Sequence, residues 1–162
     1  MTEDERSLAD LKEDYFEIHK KYNLPEFDDL NKDFFIERIC EVKTDYLIRE
    51  VKRFVGEKLS NYLRFIESLL NPSNSPMFVF SIVKLLGAKE KSKLAEIYKQ
   101  LVKTEVSLLE TDINFSEERD AKFIKDSFGL WQEIKIDLLG TVQIIKDNWD
   151  NKSSSASKGY FG

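Results

Sequence analysis

The chain has one cysteine and one histidine among 162 residues. A lone Cys40 excludes an intrachain disulfide. Prolines number three and glycines six. That scarcity argues against a sandwich with many tight turns and favours long helices. No long apolar run exists. The longest, Met77–Leu86, is interrupted by Ser81 and Lys84, well short of the roughly 20 residues that a bilayer span needs. The first residues, MTEDERSLAD, are acidic with no apolar run behind them. No secretory signal is expected, and the expected compartment is the cytosol.

The residue sets of common chemistries are also missing. Carboxylate-bridged metal sites in bundles use Glu-x-x-His pairs. Here the residue three before His19 is Phe16. Zinc coordination by thiolate and imidazole lacks ligands. Cys40 and His19 are the one cysteine–histidine combination, and no motif surrounds either. Cys40 lies beside Ile39 and reads as a small packed hydrophobe. His19, between Tyr15 and Tyr22, reads as a boundary residue. Gly56, Gly87, Gly129 and Gly140 are isolated, whereas phosphate-cradling loops cluster their glycines before a helix. These absences predict a non-enzymatic protein with no metal and no cofactor.

What is present is helical periodicity. Ile48, Val51, Val55, Leu59, Tyr62, Ile66 and Leu69 recur at steps of three and four, one stripe of a helix. Arg49, Glu50, Arg53, Glu57, Asn61 and Arg64 form the opposite, solvated side. Leu8, Leu11, Tyr15, Ile18 and Tyr22 mark a first helix, capped by Ser7 and broken by Leu24-Pro25. Phe27, Leu30 and Phe34 fit a short helix. Phe35, Ile36, Ile39, Cys40 and Tyr46 fit another piece whose apolar direction differs from that of 48–69, which predicts a bend near 41–44. The run NPSNSP over 71–76 is a loop. Ser75-Pro76 then reads as the start of a helix over Met77–Leu86, apolar on all sides and hence expected to be buried, with Gly87 as its left-handed end. Helices follow over about 89–111 and 116–149, the latter capped by Ser116. The predicted fold is all-α: an antiparallel helical bundle of about four long helices plus a short buried helix. The domain layout reads as a frayed N-terminus over 1–6, one bundle domain over 7–150 and a flexible Ser/Gly tail over 151–162.

Charge is unevenly placed. Residues 1–41 carry 13 acids and 6 bases, residues 42–103 carry 6 and 12, and residues 104–162 carry 11 and 7. Arg49, Lys52, Arg53, Arg64, Lys99 and Lys103 form a candidate basic surface, the footprint that phosphate binding requires. Glu50 and Glu57 flank Arg53 at helical-neighbour spacing, the pattern of a salt-bridged face. The chain is acidic overall, with a net charge of −5.

The remaining anomaly is charge inside apolar arcs. Glu105 falls at the centre of the arc set by Leu94, Tyr98, Leu101, Leu108 and Leu109, with Asp112 nearby. Lys58 lies between Val51, Phe54, Tyr62 and Phe65, and Lys135 at a stripe edge. A buried carboxylate needs a partner. Glu105 is therefore expected to pair with Lys58, Lys135 or a tyrosine hydroxyl, in a buried polar cluster that includes Asp112.

Three readings stay open. The favoured one is an interaction or scaffolding module, possibly self-associating, which predicts a contiguous exposed apolar patch. The second is a nucleic-acid binder using the basic middle. The third is a small-ligand pocket in the bundle containing Glu105. The expected partner is a protein or a second copy of the chain, with nucleic acid disfavoured and no membrane partner.

Overall fold

The computed structural model describes residues 6–160, with side chains through Lys152. Its elements are α1 (Leu8–Tyr22), α2 (Phe27–Phe34), a 3₁₀ turn (Ile36–Glu41), α3 (Leu47–Leu70), a second 3₁₀ turn (Pro72–Asn74), α4 (Met77–Val83), α5 (Ala88–Ile113) and α6 (Glu117–Tyr160). Among the described residues there is no strand, and no helix is long and apolar enough to cross a membrane. The fold is all-α, built on long helices.

Local chemistry sets the boundaries. The Ser7 hydroxyl accepts the Asp10 N–H at 3.1 Å and starts α1, as Ser116 does for α6 by accepting the Arg119 N–H. Asn23 ends α1 in the left-handed region, which asparagine tolerates well. Phe35 ends α2 in the same region, with φ of 54°, at a steric cost that a bulky side chain cannot avoid. The bend expected near 41–44 is present: the chain leaves the 3₁₀ turn at an extended Val42 and enters α3 at Leu47.

The chain forms two compact units. One comprises Met1–Ser60 and Lys103–Trp131; the other comprises Asn61–Val102 and Gln132–Gly162. Both draw on α3, α5 and α6. In the first unit, α3 and α5 run antiparallel. Lys52 meets Asp112, a Cβ on Gly56 would touch Leu108, and Ser60 meets Glu105. Leu11, Leu30, Ile36, Ile39, Ile48, Val51, Val55 and Ile124 are the fully buried apolar residues of this unit. Each contributes about 1.5–3 kcal/mol of transfer free energy for a side chain of this size. In the second unit, Tyr98 donates to Glu67 at 3.3 Å and Lys93 pairs with Asp137 at 3.3 Å. Its core holds Ile66, Leu69, Leu94, Ile97, Leu101 and Ile134. The stripe of α3 read from spacing is thus the buried one, except that Tyr62 is only half-buried.

Four expectations are corrected. The short apolar helix forms but is not buried. Met77 is 87% exposed, and Phe78 and Phe80 are exposed too. Covering a helix that is apolar all round requires neighbours on every side. This unit buries α4 at Val79, and the other buried apolar groups of the segment, Leu85 and Leu86, lie beyond its end. Gly87 is not left-handed, since no described glycine has positive φ. The helix ends at Lys84 in the right-handed region, and the Gly87 carbonyl instead accepts the Lys91 N–H in starting α5. Ser75 makes no side-chain cap; Pro76 occupies the cap position. Finally, α6 continues to Tyr160, through most of the segment expected to be a tail from residue 151. A helix already nucleated propagates through serine, lysine and alanine at small cost per residue. Of the expected frayed N-terminus, residues 1–5 lie outside the described residues, and Arg6 pairs with Asp14 at 3.0 Å.

Candidate functional site

The first unit contains a buried charge cluster that the sequence reading missed. Lys52, on α3, is 2% exposed, and Asp120, on the first turns of α6, is 0% exposed. The ammonium Nζ donates to Asp112 Oδ1 at 2.8 Å and lies 3.2 Å from Asp120 Oδ1. The second contact is an ion pair without hydrogen-bond geometry, so neither oxygen of Asp120 accepts a hydrogen bond. Burial pushes the Asp120 carboxyl above the usual carboxylate range. Lys52 and Arg49 pull it down, and Asp112 pushes it up. A lysine ammonium is stable at such depth because two carboxylates from different helices compensate it. Lys52 therefore does not belong to a basic surface, a correction to its expected place.

The other charges expected in apolar arcs find separate partners. Glu105 is half-buried and accepts from the Ser60 hydroxyl at 2.5 Å, so its partner is a serine and not a lysine or tyrosine. Lys58 donates to the Asp33 carbonyl, with Nζ 5.5 Å from the Phe34 ring centre and 5.3 Å from that of Trp131. Lys135 donates to Gln132. Asp112 binds Lys52. The expected Glu105–Lys58–Lys135–Asp112 cluster is thus distributed over four local contacts. A half-buried cation over aromatic faces and a hydroxyl–carboxylate pair satisfy the same electrostatic need.

Of the remaining basic residues, Arg53 is spent on Glu50 at 2.8 Å and Glu57 at 2.9 Å. Arg49 stacks its guanidinium 4.7 Å from the Phe115 ring centre. Arg64, Lys99 and Lys103 are exposed. His19 is half-buried, with Nδ1 2.6 Å from the Leu24 carbonyl. That contact places the Nδ1 proton, because a carbonyl only accepts. Cys40 is half-buried, and its thiol is pushed above its ordinary value by burial, which suppresses the nucleophilic thiolate. Among the described residues, no three His, Cys, Asp or Glu side chains are grouped to hold a metal ion. A cavity of about 300 Å³ lies in the second unit, with Ile136, Ile144 and the Lys93–Asp137 pair in its wall. Glu105 is not part of it.

The most conspicuous surface feature is apolar. On the outer face of α5 in the first unit, Val106 is 61% exposed, Leu109 59% and Ile113 78%. Steps of three and four put them on one narrow line. At its C-terminal end the aromatic ring of Phe115 meets Tyr46 at 6.4 Å, edge to face, under the Arg49 guanidinium. Tyr46 and Phe115 are themselves exposed. Aliphatic, aromatic and arginine side chains converge here, the composition enriched at protein–protein contacts. Leu109, expected in the buried arc of α5, is instead exposed beside Val106 and Ile113: α5 turns Leu94, Ile97 and Leu101 inward, and Leu109 lies off that side. No protein-family model, characterised protein or solved structure matches the chain.

Proposed function

We propose that this chain is a non-enzymatic helical interaction module that self-associates through α5 of its first unit. The carrying observation is the uncovered line of Val106, Leu109 and Ile113. Its alternation of three and four residues is the seam spacing by which one helix packs along another. In a two-fold antiparallel pairing of two α5 helices centred beside Leu109, Val106 of each copy comes opposite Ile113 of the other, so the line matches itself in a second copy. Asp112 borders the seam, but Lys52 already compensates its charge. Tyr46, Arg49 and Phe115 lie beyond the C-terminal end of the line and add residue types enriched at protein contacts.

Sedimentation equilibrium tests this directly. The wild-type chain is expected to show twice its 19.0 kDa mass at micromolar concentration. Leu109→Glu, at an exposed position, should return it to the monomer with unchanged helicity. A wild-type monomer at the highest soluble concentration overturns self-association.

A further inference from the structure

The second unit carries a different apolar feature with a different shape. Its short helix α4 exposes Met77, Phe78 and Phe80 at successive angles of about 100° and 200° around a helix. They form one broad face spanning about 160° of α4, opposite buried Val79 and half-buried Ile82 and Val83. Such a broad wedge is wider than the narrow line on α5. It suits a fluid apolar medium that closes around it.

The charge around α4 selects the medium. Between Met77 and Lys93 the chain carries four lysines against one acid, Glu90. Lys84, Lys89 and Lys91 are exposed and hold no ion pair among the described residues; Lys93 is occupied by Asp137. The second unit as a whole has ten bases and seven acids, whereas the first has 15 and 23. An apolar wedge of methionine and phenylalanine within a lysine collar is the chemistry of interfacial contact with anionic lipid. We infer that α4 inserts peripherally into the headgroup region of an anionic bilayer, with Lys84, Lys89 and Lys91 against the lipid phosphates and carboxylates. The absence of a spanning helix, from which no membrane partner was expected, does not bear on such surface contact. The inference is independent of self-association through α5.

Vesicle co-sedimentation with the full chain tests it. The wild type is expected to pellet with vesicles of phosphatidylcholine mixed with phosphatidylserine, to pellet weakly with phosphatidylcholine alone, and to be released by high salt. Met77→Ser/Phe78→Ser should lower partitioning at least about tenfold. Because both residues are exposed, the variant should keep its circular dichroism and melting temperature. Lys84→Glu/Lys89→Glu/Lys91→Glu should abolish the preference for phosphatidylserine, at about fivefold per lysine removed. Leu109→Glu should pellet like the wild type, which separates this contact from the α5 surface. A wild-type chain that stays in the supernatant with phosphatidylserine vesicles at low salt overturns the inference. So does a Met77→Ser/Phe78→Ser variant that pellets unchanged, or one that loses solution mass instead, since α4 would then be covered by protein.

Discussion

Replacing Lys52 by methionine removes one charge and keeps the volume. In the folded chain Lys52 is the cation nearest to Asp120, whose side chain has no exposure to water and accepts no hydrogen bond. Breaking a buried pair from one side leaves a bare charge, at a cost of about 3–5 kcal/mol. That is a large part of the roughly 5–15 kcal/mol that holds a domain together. The pH dependence follows from Asp120. Its carboxyl lies above the ordinary range because of burial, and Lys52 is the largest pull in the other direction. Between the unfolded carboxylate range and this raised value, the folded chain binds more protons than the unfolded one. Stability therefore falls as pH rises through that window. Without Lys52 the window extends further upward. The Lys52→Met deficit should be greater at about pH 7.5 than at about pH 5, because more acid solution favours the protonated form of Asp120, which needs no cation. Urea denaturation at both values reads this. The double variant Lys52→Met/Asp120→Leu should recover most of the loss, because an apolar pair replaces an ionic one; Asp112 is exposed and loses little. A deficit below about 1 kcal/mol, equal at both pH values, would refute the account, given the 3–5 kcal/mol expected. A double variant no more stable than the single would do the same.

Three further outcomes are expected. The Tyr15 hydroxyl donates to the Pro25 carbonyl at 2.5 Å, and burial followed by Glu26 pushes the phenol well above its usual range; Tyr15→Phe should cost about 1–2 kcal/mol in urea denaturation by leaving that carbonyl without its donor. Phe35→Gly should raise stability by about 0.5–1 kcal/mol in thermal unfolding, since glycine adopts the left-handed backbone without steric cost; a loss would mean that the ring's 5.6 Å approach to Lys58 outweighs the strain. Gly129 stands in α6 with nothing within 4 Å of an added Cβ, so Gly129→Ala should stabilise by about 0.5–1 kcal/mol, detectable as a higher melting temperature.

The helices were legible where periodicity is strong. The buried side of α3, the caps Ser7 and Ser116, the break at Pro25 and the bend before α3 all follow from local spacing and local hydrogen bonding. Partner choice was not legible. Lys52 reads as a surface lysine because its two carboxylates arrive from α5 and α6, far away in sequence. Glu105 was expected to pair with Lys58, Lys135 or a tyrosine hydroxyl, yet its partner is Ser60, a residue with no charge to announce it. The exposure of α4 was missed for a related reason. Apolar composition states what a helix would gain from cover, not whether neighbours exist to supply it.

Two side chains one turn apart on α1 close the connection to α2. Tyr15 reaches the Pro25 carbonyl and His19 the Leu24 carbonyl, while the Leu24 N–H returns to the His19 carbonyl. Every partner in this clasp lies within about a dozen residues, so closing it requires little loop entropy. The hairpin of α1 and α2 can accordingly assemble on a nascent chain before any residue of α5 or α6 has been synthesised. Pulse-labelled amide exchange should find the Leu24 N–H among the earliest protected in refolding.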